Sequence, residues 1–224
     1  MAMTELPDET LAELGALTLE PGRPLIAVDV DEVLVRFVPH LERFLDGQGY
    51  EMRLVRYELE GSMFPRGSDM PLPFETCLDL IRQFFEAETE NQQPVPGGAE
   101  ALDRLSHEAQ IVILTNVPRA ATAARRRNLD ALGMPWPMVV NSGGKGRALK
   151  WMADRVQAPI GFVDDSVKQI ESVARHLPGA TRLHFAEADF IARIFPDCSH
   201  ATAQTRSWSE TESVLCRELG LETG

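Results

Sequence analysis

The sequence predicts an α/β protein built on a doubly wound parallel sheet, interrupted by a small, mostly helical cap insert. Short apolar runs alternate with helix-length segments, the order that a parallel sheet requires. The runs are apolar along their whole length rather than at every second position, so helices must cover both faces of the sheet. One long stretch, residues 38 to 98, breaks the alternation between the first run and the second.

Taken in order, the strands are predicted over PLIAVDV (24–30), AQIVILTN (109–116), WPMVVN (136–141), PIGFVDD (159–165) and TRLHF (181–185). Helices are predicted over RAATAARRRNLDALG, KGRALKWMADRV and VKQIESVARHLPG, two of them stopping at Gly133 and Gly179. Within the insert, HLERFLDGQGY and LPFETCLDLIRQFFEAETE have helical character, the second with apolar residues spaced as Phe74, Leu78, Ile81 and Phe85. GSMFPRGSDMPLP between them carries three prolines and two glycines and is predicted to be loop. Beyond residue 186 further helices are expected, one starting at Ser207, where Glu210 sits at capping-box spacing.

A chain of 224 residues, 44% hydrophobic and 25% charged, fits one globular domain with a modest insert. Burying roughly 70% of its unfolded surface removes any need for disulfides or a structural metal. Cys77, Cys198 and Cys216 lie far apart and form no CxxC pair, which suits a reducing compartment. The acidic start MAMTELPDETLAEL has no signal-peptide pattern, and no window holds the ~18 apolar residues of a membrane span. The expected location is cytoplasmic, with no membrane partner. A net charge of −12 also argues against a nucleic-acid polymer as partner, leaving a small molecule as the expected one.

In open parallel sheets, ligands bind at the carboxyl ends of the strands. The first strand ends in DVDEVL, with Asp29 and Asp31 two positions apart, and the second ends in ILTN, with Thr115. The turn NSGGKG supplies Lys145 and the fourth strand ends in VDD, with Asp164 and Asp165. Carboxylates converging on one edge repel one another unless a cation sits among them, and an all-oxygen set suits Mg2+ better than zinc. A lysine, a threonine hydroxyl and free backbone N–H groups beside that cation form a pocket for a tetrahedral anion such as phosphate. One carboxylate could then attack phosphorus and another protonate the leaving oxygen. Of the three lysines, Lys168 belongs to the helix after the acidic pair and Lys150 falls inside a helix. Lys145, beside Gly143 and Gly144 in a loop able to approach an anion, is the first candidate and Lys150 the second.

DVDEVL, ILTN, a lysine opening a helix and VDD, in that order, resemble the four motifs of the haloacid dehalogenase (HAD) superfamily of phosphohydrolases over roughly residues 22 to 185. The resemblance implies a Rossmann-like HAD core over residues 1–37 and 99–224. It makes Asp29 the nucleophile that forms an aspartyl-phosphate and Asp31 the general acid and base. Thr115, the adjoining Asn116 and Lys145 would bind the phosphoryl group. Mg2+ would be held by Asp29, the carbonyl of Asp31 and Asp164, with Asp165 as a further ligand or as a partner to the ligands. Dehalogenases of the family lack the second aspartate, so Asp31 points to phosphoryl transfer. Glu32 stands where many members have Gly.

From position 29 to position 115 the chain leaves room for a long insert, and from 115 to 145 it does not. That resembles the helical C1 cap class, with the cap over residues 38–98 selecting the substrate. DVDEVLVRF followed by a short cap and VPGGAEAL further resembles the 5'-deoxyribonucleotidase branch. There Phe37 would stack on a base; hinge packing would equally place an aromatic at that position. The implied substrate is a small phosphorylated metabolite, such as a nucleotide or a sugar phosphate.

Other features have plainer readings. Arg119, Arg125, Arg126 and Arg127 read as a solvated helix face, Phe74, Phe84 and Phe85 as insert core, and the five histidines show no metal-ligand spacing. A Mg-dependent phosphatase leads, with a phosphomutase or a non-catalytic phospho-ligand binder on the same fold as alternatives. A receiver-type signalling domain places its acidic pair ahead of the phosphorylated aspartate, whereas here the pair comes last.

Overall fold

The structure, a computed structural model, describes residues 6–54, 60–187 and 198–222. Six parallel strands, β1 (Leu25–Val28), β4 (Gln110–Thr115), β5 (Met138–Val140), β6 (Ile160–Asp164), β7 (Thr181–Phe185) and β8 (Ala203–Thr205), form one sheet in the order β5-β4-β1-β6-β7-β8. β1 is central, pairing with β4 on one side and β6 on the other. Its four residues are fully buried and alternate between two cores. Ile26 and Val28 face α4 (Gly98–Ser106), α5 (Thr122–Ala131) and α8 (Trp208–Leu219). Leu25 and Ala27 face α1 (Asp8–Ala16), α6 (Gly146–Val156) and α7 (Val167–His176). The sheet is therefore covered on both faces, as the continuous apolar runs require.

Two elements escape the periodicity argument. α1 closes the β5 edge: the Thr10 hydroxyl donates to the Val140 carbonyl at 2.9 Å, and Val140 N–H donates to the Glu13 carboxylate at 2.6 Å. β8 is a three-residue strand with no apolar run, held because Ala186 N–H donates to Thr205 at 2.9 Å and Thr202 N–H to Arg182 at 2.7 Å. The capping box at Ser207 forms: its hydroxyl accepts Glu210 N–H at 3.2 Å. Gly133 takes φ +75° after α5 as a C-terminal stop. Gly179 does not, because α7 already ends at His176 ahead of Pro178, which cannot continue a helix.

Between β1 and β4 the chain forms α2 (Val38–Gly47), the antiparallel pair β2 (Tyr50–Met52) and β3 (Met63–Pro65), α3 (Phe74–Glu88) and a 3-10 turn at Thr89–Asn91. β3 lies inside the stretch expected to be loop. In a two-stranded ribbon each strand is an edge, so Pro65 removes no ladder bond that the ribbon needs. α3 is also rotated from the expected phase. Cys77, Leu80, Phe84 and Phe85 are buried, whereas Phe74 and Leu78 are 51% and 47% exposed. Both stripes satisfy helical spacing. The edge-on contacts of Phe84 with Phe37 and Phe44, at 5.2 and 5.7 Å between centroids, hold the observed one.

The chain enters and leaves this insert side by side. Val95 N–H donates to Leu34 and Arg36 N–H to Gln93, both at 2.9 Å. The turn after β1 is braced from the far end of the chain by Trp208, fully buried, whose indole N–H donates to the Val33 carbonyl at 2.9 Å. The start of α6 is fixed by close approach to α7. Gly146 N–H donates to the Ser172 hydroxyl at 3.1 Å, and a Cβ on Gly146 would lie 2.2 Å from the Ser172 carbonyl oxygen. Gly146→Ala is expected to push the two helices apart and lower stability by about 1–3 kcal/mol in chemical denaturation, as overpacking of a tight interface does.

Candidate active site

The site is assembled by the pairing of β1 with β6. Val28 is in register with Val163, so the next residue of each strand leaves the sheet at the same edge. Those residues are Asp29, whose N–H donates to the Val163 carbonyl at 2.9 Å, and Asp164, fully buried at the end of β6. Lys145, 1% exposed at the start of α6, reaches between them. Its Nζ lies 2.6 Å from Asp29 Oδ1 and 2.7 Å from Asp164 Oδ2. Burial alone would pull the ammonium pKa down, but the Asp164 and Asp29 carboxylates outweigh it and hold it above the ordinary lysine value. For Asp164 burial pushes the other way, raising the carboxyl, while Lys145 opposes it.

The turn bearing Lys145 is itself held. Lys145 N–H donates to Gln169 Oε1 at 2.8 Å. The Gly143 carbonyl accepts from Asn116 Nδ2 at 2.9 Å, Asn141 Nδ2 at 3.1 Å and Gln169 Nε2 at 3.2 Å. Gly143 has φ +76°, and a Cβ on Gly144 would lie 2.4 Å from the Ser172 hydroxyl. The two glycines thus serve a left-handed turn and a close helix contact. Lys150 takes no part: its ammonium pairs with Asp154 on the exposed side of α6.

Asp31 is brought to the same cleft and turned to a different partner. Its Oδ1 accepts from Arg125 NH2 at 2.6 Å, and that nitrogen also donates to Gln92 Oε1 at 2.7 Å. Arg125 is fully buried in α5, with NH1 on Asn128 Oδ1 at 3.2 Å. Burial raises the Asp31 carboxyl above its usual value, with Arg125 lowering it and the nearby Asp29 raising it. Arg125 is therefore the exception on an otherwise solvated face: Arg119 and Arg127 are exposed and Arg126 is half-buried. Arg119 pairs with Glu9 and Glu13, Arg126 donates to the Met134 and Trp136 carbonyls, and Arg127 pairs with Glu90. Charge on a helix normally reads as solvent-facing. The signal against it was the oxygen-rich NQQ at 91–93, where Gln92 and the Glu90 and Gln92 carbonyls meet Arg125 and Asn128.

Glu32 is a second residue that the sequence left without a role. It is 6% exposed with φ +60°, and its carboxylate accepts the N–H groups of Phe37, at 2.8 Å, and Val38, capping α2 from five residues upstream. Burial pushes its pKa up to about 7 against those two hydrogen bonds. A glycine would adopt this φ more easily but could not cap the helix.

Of the other expected site residues, Thr115 is fully buried at the end of β4, and its hydroxyl accepts Val117 N–H at 3.2 Å. Asn116 lines the cleft, with its amide committed to Gly143 and Asn141. Phe37 packs on Phe84 and Phe85 and also borders the cleft. Asp165 points one carboxylate oxygen toward the cluster: ligand atoms of Asp29, Asp164 and Asp165 all lie within 4.8 Å of one another. Three carboxylates against one ammonium leave two negative charges in a largely buried space. The donors are all oxygen, so the cluster is consistent with a divalent metal site for a hard cation.

No protein-family model matches the chain, and no curated protein sequence does. Solved structures do. A HAD family hydrolase from Deinococcus radiodurans R1 with bound phosphate and sodium is 17% identical, with a TM-score of 0.61 over 91% of this chain and 99% of that one. A haloacid dehalogenase-like protein from Agrobacterium tumefaciens is 18% identical, with a TM-score of 0.61 over 88% and 99%. A protein described as a beta-phosphoglucomutase from Thermotoga maritima is 16% identical, with a TM-score of 0.56 over 87% and 99%. The chain therefore has the Rossmann-like α/β fold of the HAD hydrolases. Among the described residues, no helix is long and apolar enough to cross a membrane.

The Asp31–Arg125 pair has a measurable signature. Arg125 lowers the Asp31 pKa, so Arg125→Met raises it further. If Asp31 must start a reaction protonated, the alkaline limb of the kcat/KM profile moves to higher pH in the variant, the opposite of what general loosening of the site would produce.

Proposed function

We propose that the chain is a HAD-superfamily phosphohydrolase that cleaves a small phosphate monoester through an aspartyl-phosphate on Asp29, with Mg2+ as its metal. The observation that carries this reading is the division of labour among four carboxylates. Asp29, Asp164 and Asp165 cluster, the first two on Lys145, while Asp31 stands apart on Arg125 with its proton affinity raised. A clustered set suits a cation and a nucleophile, and a separated, raised carboxyl suits an acid.

Asp29, the Asp31 carbonyl, Asp164 and Asp165 would hold the cation, which would offset the excess carboxylate charge and that of the phosphoryl oxygens. The protein's own groups do the rest. Lys145 holds Asp29 in place and supplies a fixed positive charge to the transferring group. The Thr115 hydroxyl accepts from Val117 and keeps its own proton to donate to a phosphoryl oxygen. The Asn116 side chain holds the Lys145 turn, so its part in phosphate binding falls to its backbone N–H. An Asp29 carboxylate oxygen attacks phosphorus as the ester P–O bond breaks, and Asp31 passes its proton to the departing oxygen. Asp31, now ionised, takes a proton from the water that attacks the aspartyl-phosphate, releasing phosphate and restoring both aspartates. Residues 38–98 act as a helical cap of C1 type over this cleft.

Asp29→Asn is expected to fold normally and lose activity by at least ~1,000-fold, as loss of a nucleophile does. Chelation should abolish turnover and added Mg2+ restore it. Phosphate release is expected to match substrate loss one to one. Return of the phosphoryl group to product would instead assign a phosphomutase, and tight binding without turnover a phospho-ligand binder.

A further inference from the structure

The cleft above Asp29 encloses about 350 Å3, at the small end of ligand pockets. Its lining divides by origin. Every charged or amide side chain in it comes from the turn after β1 or from the ends of β4 and β6 and the starts of α6 and α7. What the insert contributes, with the linker residue before it, is Phe37, Val38, Met52, Leu54, Ile81 and Phe85. Among the described residues, the insert places no hydrogen-bonding side chain in the cleft. Of the neutral polar side chains in the cleft, Ser166 stands beside Asp164, to which its N–H donates, and the two amides are already used. Asn116 is bonded to Gly143 and Asn141, and Gln169 to Lys145 N–H and Gly143. Glu32 Oε1 is occupied by the Phe37 and Val38 N–H groups.

A phosphate seated at Asp29 directs the rest of its ester toward this wall. Each hydroxyl of a sugar, or each polar edge of a base, laid against these six residues would exchange water for an apolar surface, an unfavourable exchange. Methylenes and aromatic faces would gain by the same burial. Resting on the phosphohydrolase reading, we infer that the substrate class is a monophosphate ester of a neutral, apolar or aromatic alcohol, rather than a sugar phosphate or a nucleotide. The cleft then selects by what its roof lacks. An apolar wall of this kind discriminates by the hydrogen bonds that its described residues do not offer, and the recognised charge is the phosphate.

The test compares two esters of one shape: cyclohexylmethyl phosphate and glucose 6-phosphate, each a six-membered ring carrying a CH2–O–phosphate. Both leaving groups are primary alcohols, so intrinsic reactivity differs little. The expected kcat/KM favours the cyclohexylmethyl ester by at least about tenfold. Ile81→Gln, which adds a hydrogen-bonding group to the wall, should narrow that ratio. Calorimetric binding of the two esters to Asp29→Asn protein with Mg2+ gives a readout independent of turnover. Stronger binding of the apolar ester without turnover by the unsubstituted protein would sink the phosphohydrolase reading and leave the substrate class standing. Equal or preferred use of glucose 6-phosphate, equal or tighter binding of it, or binding of neither ester would overturn the inference.

Discussion

The ammonium of Lys145 lying between Asp29 and Asp164 is the contact on which the rest of the site depends. Two carboxylates at the ends of neighbouring strands, in a largely buried space, would repel each other strongly with nothing between them. One buried cation relieves the repulsion and keeps both groups aimed at a common point. The surrounding structure serves that contact. Gln169 and Asn116 fix the turn before α6, Ser172 receives the first N–H of the helix, and Gly146 lets the two helices approach closely enough.

A second polar assembly works on a different principle. Arg125 is fully buried, yet it meets Asp31, Gln92 and Asn128 and so has partners on both sides of the insert's return linker. Glu32 does the same at the outgoing linker by holding the first N–H groups of α2. The two linkers, hydrogen-bonded to each other, are thereby tied to the residues flanking the reaction centre. Removing one partner from such a network costs more than the network contributes, because the remaining group is left buried and unpaired.

The sheet and the clustered carboxylates were legible because both follow from local pattern. Apolar runs mark strands, and an acid directly after a run must sit at the sheet edge. Lys145 was reachable by position along the chain. Arg125 was not, since a charge inside RRRN looks like solvent exposure until a buried acid and two amides are known to face it. The phase of α3 was undetermined because two apolar stripes share the helical period, and only the Phe37 and Phe44 rings distinguish them. β3 was hidden by prolines that break longer strands but are tolerated in a two-stranded ribbon. The apolar roof of the cleft was invisible for the most general reason: Met52, Ile81 and Phe85 are the residue types that also fill cores.

The order β4-β1-β6 has a consequence for how the protein comes into being. Asp29 and Asp164 stand on neighbouring strands that are distant in sequence, with the insert, β4, β5 and α6 lying between them along the chain. Their meeting closes a very long loop, a step that is slow because the chain loses its freedom before the contact is gained. No partly synthesised chain that stops short of β6 can contain the reaction centre. An ion or anion held there binds only the completed sheet, so it raises the melting temperature of the whole core rather than of any fragment. Assembly of the carboxylate cluster and pairing of the two central strands are thus the same event in this chain.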